Sequence, residues 1–424
     1  VKPIHEVTAC VVDHGLFTHI ALAMAEQCER VFYCGPNEKV MRRFEDDVVG
    51  DGFDNIIRIE SPFQVEHLAD VFVFPDTGFR YEQLKLLKDG RAVWGHHGAD
   101  VLEVNKGRFL DVLKELDMEV PPHTIIHGFD NLMSHLRGKE DKWVKVSKWR
   151  GDWETFHWRN QALDGDYLRG HPYNRCPARS LFTFYVFDKI DTPIEDGVDT
   201  WCIDGKWPKN VLHAMERKDK SLIGAIQPLS EIHESVRVVN EVFGPYLGEK
   251  FGYRGAFSTE VRPPYFIDPT CRFGSPPSQL QSVLIKNLPD VIYRGAHGEL
   301  VEPIHDDVFG GQVFITADRE KDEYLTLDLD QELRPFVKSA FCFEVDGIAR
   351  IAPNPLENWA GWLVATGKSV RQIVDLLKER KEMLPPGFDC DISSMADLLR
   401  SLEDAEKKGI EISEQPVPEP EIVL

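Results

Sequence analysis

Short apolar runs alternate with helical periodicity through the first hundred residues. Residues 7 to 12 read as a strand, Leu16, Ile20, Ala23 and Met24 recur at helical spacing, and Val31 to Cys34 reads as a second strand. Two further runs, Val71 to Phe74 and Ala92 to Trp94, flank a helical stretch at Tyr81 to Lys88. This alternation predicts a Rossmann-like parallel sheet covered by helices. Gly15 follows the first strand, where such sheets need a tight turn, but no GxGxxG accompanies it, so it reads as a structural glycine.

Past residue 103 the pattern changes. A helix is predicted from Lys106 to Asp117, with Phe109, Leu113 and Leu116 on one face, and a strand at Trp143 to Val146, where alternation sets Lys145 opposite Val144 and Val146. Strands return at Leu181 to Phe187, Thr200 to Ile203, Ala256 to Val261 and Tyr265 to Asp268, with a long helix marked by Ile232, Val236, Val239 and Phe243 between them. From about Val291 short strands and turns lead to a helix carrying Val370, Ile373, Val374 and Leu377. A last amphipathic helix uses Met395, Leu398, Leu399 and Leu402, and EQPVPEPE then has the composition of a solvated, flexible acidic tail. The expected organisation is an α/β and α+β multidomain chain: residues 1–102, 103–290, 291–390, and a helix with tail at 391–424.

Composition narrows the function. At 424 residues, with 42% hydrophobic and 28% charged positions, the chain is long enough for several packed units. A formal charge of -22 argues against tracking nucleic acid. Eight scattered cysteines without a CxxC pair read as reduced, buried thiols. No window approaches a membrane span and no basic leader precedes an apolar run, so no membrane partner is expected and the location read from the sequence is cytoplasmic.

Candidate chemistry lies in an ordered set: Lys106, Lys145, the segment FDKI at Phe187 to Ile190, Asp199 in GVDT, and the acids Glu260 and Asp268. A strand lysine beside phosphates neutralises charge, and paired carboxylates hold Mg²⁺ through hard oxygen ligands. Lys106 also has a plainer reading as a solvated helix residue, Lys145 as a lysine snorkelling from a sheet edge and Arg272 as a strand-end ion pair, and whether Glu260 and Asp268 face one another depends on hairpin register. His96-His97 reads as loop, since a zinc site needs more ligands. Trp143, Trp149, Trp153, Phe156 and Trp158 are candidates for stacking on a base or for core packing.

In this order the motifs resemble those of the ATP-grasp superfamily, most closely the phosphoribosylamine–glycine ligases. VVDHGLFTHIALAMAEQ is similar to the family's GxGxREHALAxxLAQ, with His19 at its His; FPDTGF stands at GPExPL, placing Asp76 at its Glu; EVNKGRFLDVLKELDMEVPPH resembles ExSKxFxKxxLxxxxIPT, placing Lys106 at the first ATP lysine. KWVKVSKWRG resembles PxVIKAxGxxxGKG, which makes Lys145 the second, but the glycine-rich lid after it keeps only Gly151, with Lys148 and Arg150 as substitute charges. YRGAFSTEVRPPYFIDPTCRFGSPPSQ carries the family's YxG, RFG and final Gln in step, including Arg254 and Arg272; Asp268 takes the place of the metal-binding Glu and Thr270 that of the Asn, while Ser275 replaces an acid of the substrate loop. Glu260 stands where the related D-alanine–D-alanine ligases carry a metal-binding Asp.

The resemblance implies an ATP-grasp fold with a lid at about residues 141–206 and ATP and Mg²⁺ as cofactors, ATP lying between lid and central sheet. It assigns Lys106, Lys145, Asp188, Lys189, Ile190 and Asp199 to ATP; Glu260, Asp268 and Thr270 to the metal; Arg272, Lys145 and Arg254 to catalysis; and Asp76, Arg272 and Ser275 to substrate. The implied activity is ligation of a carboxylate to an amine through an acyl phosphate, with small-molecule, nucleotide-like substrates and a homodimer left open. The alternatives are a small-molecule or nucleotide kinase and a non-catalytic nucleotide-binding relic that acts through a partner protein.

Overall fold

The computed structural model describes residues 1–35, 48–147, 155–190, 195–217, 220–318, 323–353 and 359–407. Lys148, Trp149, Arg150, Gly151, Trp153 and the EQPVPEPE tail lie outside the described residues. The chain divides into two compact units: Val1–Gly98, Asp196–Thr259 and Thr270–Leu424 form the first, Ala99–Glu195 and Glu260–Pro269 the second.

The first unit opens with β1 (Thr8–Val12), α1 (Thr18–Gln27), β2 (Arg30–Cys34), β3 (Ile56–Ile59), β4 (Val71–Val73), α2 (Arg80–Lys88) and β5 (Val93–Trp94). The strands make a sheet of order β3-β2-β1-β4-β5, parallel throughout, as the alternating pattern predicts. Its order reverses between β1 and β4, and the crevice at such a reversal is where ligands meet the carboxyl ends of strands. Gly15, at φ +94°, makes the turn after β1; a Cβ there would stand 2.6 Å from the Phe341 ring.

The second unit holds α3 (Asp100–Val104), α4 (Lys106–Glu115), β6 (His123–His127), α5 (Phe129–Leu136), β7 (Lys142–Val146), β8 (Thr155–Trp158), α6 (Gln161–Gly170), α7 (Pro172–Arg175) and β9 (Thr183–Asp188). Its four strands run antiparallel in the order β6-β9-β7-β8. Phe129, Leu132 and Leu136 of α5 pack on Val144, Val146, Phe156, Trp158 and Phe184 of the sheet, so Phe156 and Trp158 are core residues.

The chain then builds β10 (Val198–Ile203), β11 (Asn210–Arg217), β12 (Ser221–Pro228), α8 (Glu234–Phe251), β13 (Arg254–Arg262) and β14 (Tyr265–Thr270). The β13–β14 turn, with Glu260 to Pro269, belongs to the second unit. There follow α9 (Ser278–Leu284), α10 (Leu288–Ala296), β15 (Phe309–Ala317), β16 (Leu325–Leu327), β17 (Val337–Lys338), β18 (Cys342–Val345), β19 (Ile348–Ile351), β20 (Trp359–Gly367), α11 (Val370–Lys381), β21 (Phe388–Cys390) and α12 (Ser393–Glu406).

Two findings differ from the sequence reading. The antiparallel sheet of the first unit runs β13-β10-β11-β12-β15-β20-β17, with β21 on β15, so it continues across residue 290, where a domain boundary was expected. From Asp196 onward the span assigned to the lid lies in the first unit, on β10. The cause is β12, buried at seven of its eight positions: a strand covered on both faces shows no alternation, so neither it nor the pairing it makes with β15 is announced by pattern.

Candidate functional site

Lys106 is the first residue of α4, a helix capped by the Asn105 side chain, which accepts a hydrogen bond from Arg108 N at 3.2 Å. A cation at a helix N-terminus opposes the macrodipole, yet this lysine is only 4% exposed. Its ammonium donates to the Ile267 carbonyl and, at 2.6 Å, to Asp268 Oδ1, and lies 4.7 Å from the centre of the Phe109 ring. Lys145 reaches the same carboxylate from β7, donating to Oδ2. It does so because Val144 and Val146 are buried in the core of the second unit, which turns Lys145 to the other face. Burial pushes the Asp268 carboxyl up, but Lys106 and then Lys145 outweigh it and hold the group down at about 2. Three residues picked from motifs far apart in sequence thus meet at one point.

Two ammonium groups on one acceptor form a ready-made seat for phosphate oxygens, with Asp268 filling the place of the anion. ATP fits that donor set. Among the described residues no group of three or more His, Cys, Asp or Glu could hold a metal by itself. Asp268, engaged by both lysines, and Glu260 on the preceding strand carry hard carboxylate oxygens of the type that suits a Mg²⁺ ion carried largely by phosphates.

The hinge segment sits at the end of β9. Asp188 and Lys189 are exposed and engage Lys142 and Asp141 respectively, the latter at 3.1 Å, while Ile190 is partly buried. Their side chains are therefore occupied in surface ion pairs. Trp143 stacks on His157, with ring centres 4.5 Å apart.

In the first unit, Asp199 accepts a hydrogen bond from Ser258, its cross-strand neighbour, and burial pushes its carboxyl up to about 7. Asp76 and Arg272 come together from distant segments, with Nε 3.5 Å from Oδ1, and Arg272 also donates to the Phe273 carbonyl at 2.7 Å. Ser275 accepts from Gln279 at 3.0 Å, and Thr270 is buried at the end of β14. Arg254, expected in catalysis, grips Asp204 with its fork at 2.9 and 2.8 Å and donates to the Ala296 carbonyl at 3.1 Å. His19 Nε2 meets Ser278 Oγ at 3.0 Å. His96 and His97 bond to the Gly78 and Val93 carbonyls, in keeping with a loop role. All eight cysteines stand outside disulfide bonds, and no helix among the described residues is long and apolar enough to cross a membrane.

Sequence reasoning missed two buried acid sites. His213 and Asp196, both without exposure, pair at 2.6 Å, and His213 also meets Gln227 at 2.7 Å. Burial pulls the His213 pKa down, but Asp196 reverses the shift and raises it. A lone histidine inside the apolar run VLHAM was the available signal. Asp13, fully buried directly after β1, accepts from Phe17 N and Tyr33 Oη, both at 3.0 Å; burial and the charge of Asp76 push it up to about 7. Its place at the carboxyl end of a central parallel strand could have marked it.

No protein-family model matches the sequence, and no curated protein matches it. Solved structures do match in fold. The architecture is the ATP-grasp fold. A phosphoribosylamine–glycine ligase from Thermotoga maritima aligns over 91% of this chain and 99% of its own, with TM-score 0.67 and 15% identity. A biotin carboxylase from Campylobacter jejuni, in complex with βγ-ATP, covers 96% and 98%, with TM-score 0.60 and 14% identity. An L-amino acid ligase from Bacillus licheniformis covers 91% and 99%, with TM-score 0.55 and 13% identity.

Proposed function

We propose that this chain is an ATP-dependent ligase of the carboxylate–amine type. The observation that carries the reading is the convergence of Lys106 and Lys145 on Asp268, within a fold shared with ligases and with a nucleotide-bound carboxylase. Lys106 and Lys145 hold phosphate oxygens once Asp268 yields them, and the backbone at Lys189 and Ile190 meets the adenine. Asp268 and Glu260 would hold the metal through carboxylate oxygens. The remaining proposed roles are Asp199 for the ribose, Thr270 for the metal, and Asp76, Arg272 and Ser275 for substrate. With Mg-ATP bound, its terminal phosphoryl group would pass to a carboxylate oxygen with ADP leaving, and an amine would then attack the acyl carbon, displacing phosphate and losing a proton. The chain's own part is electrostatic: its ammonium and guanidinium groups stabilise negative oxygens in a site that water screens poorly.

A second reading, nucleotide binding without turnover, draws on Asp268 being engaged by both lysines. One assay separates the two. Purified protein is incubated with Mg-ATP and pooled carboxylates and amines, and ADP and phosphate are followed. A ligase releases both in a substrate-dependent way, and Lys145→Ala and Asp268→Ala each lower the rate by about 100-fold or more. Measurable ATP binding with no substrate-dependent ADP would support the second reading and refute the first.

A further inference from the structure

Lys106 and Lys145 stand on different elements, so their ammonium groups serve one anion together only if α4 and β7 keep a fixed separation. Contacts within the second unit tie these elements together. Ser147 follows β7 directly, and its amide donates to the Thr183 carbonyl at 3.0 Å, which carries the β7–β9 ladder one residue past Val146. Alternation turns Ser147, like Lys145, away from the side on which Val144 and Val146 are buried. Its hydroxyl donates to Asn105 Oδ1 at 3.3 Å. That same oxygen caps α4 by accepting from Arg108 N at 3.2 Å. An amide oxygen has two lone pairs and takes both donors. One side-chain atom thus fixes the first turn of α4, where Lys106 stands, and the end of the strand that carries Lys145.

A second tie comes from β9. Tyr185 is directly opposite Lys145 and shares its face. The tyrosine is buried, and its hydroxyl reaches the first turn of α4: a Cβ at Gly107 would overlap it. A residue with no Cβ is what lets the tyrosine approach so closely, one position from Lys106. The third tie joins α4 to the strand of the shared carboxylate. Phe109 meets Phe266 of β14 edge to face, with ring centres 5.1 Å apart, two residues before Asp268. Helix α4 is therefore located against β7, β9 and β14 at separate points.

We propose that Ser147 and Gly107 are positioning residues that set the separation of the Lys106 and Lys145 ammonium groups, and with it their fit to nucleotide phosphate. Ser147 acts through the Asn105 cap and Gly107 through the space it leaves for Tyr185. The proposal rests on the nucleotide reading of the two lysines and adds to it the residues on which their spacing depends.

The test uses the full chain. ATP binding is measured by calorimetry for wild type, Ser147→Ala, Ser147→Thr and Gly107→Ala, with urea unfolding on the same samples. Ser147→Ala should weaken ATP binding about fivefold, and Ser147→Thr, which keeps the hydroxyl, should restore it to within about twofold of wild type. Gly107→Ala, which helix propensity alone would favour, should weaken binding at least as much as Ser147→Ala, because the added methyl displaces the Tyr185 hydroxyl. A merely structural role would lower the urea midpoint and leave the affinity of the folded chain unchanged. Wild-type affinity in Ser147→Ala or in Gly107→Ala, or a Ser147→Thr chain as weak as Ser147→Ala, overturns this proposal and leaves the nucleotide reading standing. Absence of ATP binding by wild type overturns both.

Discussion

Burial by itself would favour the protonated form of Asp268; the two lysines reverse that, and the sign has a measurable consequence. The carboxyl is held at about 2 in the folded chain and titrates near 4 when unfolded. Its ion pairs therefore contribute fully above about pH 4 and are lost as the pH falls toward 2, a contribution on the order of 2 kcal/mol. Asp268→Asn should flatten the dependence of the denaturant midpoint on pH between about 4 and 2, while wild type loses stability across that window. The buried His213–Asp196 pair behaves as a fixed strut. His213→Ala would strand the Asp196 carboxylate inside the protein and cost about 3 kcal/mol, measured by urea unfolding at neutral pH. A cost below about 1 kcal/mol would show that Asp196 is not left charged and unpaired.

At the level of single elements, α4 is short and carries its most important cation at the wrong end for helix stability. The Asn105 cap offsets part of that opposition by satisfying an otherwise orphaned amide. Asn105→Ala should destabilise the chain by about 1 kcal/mol and, by loosening the first turn, weaken ATP binding beyond what the stability loss explains. Lys106→Ala in the same background should show no further effect of the cap on ATP, because the cap acts through the lysine it positions. Strand β7 orients Lys145 by a simpler rule: two valines seek the core, and the residue between them faces away.

Across the whole molecule, buried groups titrate in opposing directions: Asp13, Asp199 and His213 are raised, whereas burial lowers His19 to about 3 and also lowers His97. Asp13 and Asp199 are each raised to about 7, so between about pH 4 and 7 the folded chain holds protons that the unfolded chain has released. Their contribution to stability falls as pH rises through that interval. His213, also raised, contributes fully below about 6.5 and loses its contribution as the pH climbs through its folded value. Asp199→Asn removes one of these contributions, so from pH 5 to pH 8 its thermal midpoint should gain relative to that of wild type. An unchanged difference between the two midpoints across that interval would contradict the raised Asp199 carboxyl.

The sequence by itself determined the local pieces. Periodicity is a local property, so the parallel β-α-β start, helix α4 with Lys106 on it, and β7 with Lys145 turned from the core were all legible in the residue pattern alone. The order of lysines, hinge and acids also pointed to the ATP-grasp fold, because order survives where individual residues such as Asn to Thr270 do not. Only the tertiary structure decided how the pieces meet. Asp268 accepting both lysines, Asp76 beside Arg272, and Arg254 paired with Asp204 all depend on residues tens to hundreds of positions apart. Strand β12, covered on both faces, shows no alternation, so its place in one sheet running from β13 to β17 became visible only when its partners were in view. Pairing across such distances is set by register and packing, which a one-dimensional pattern does not carry.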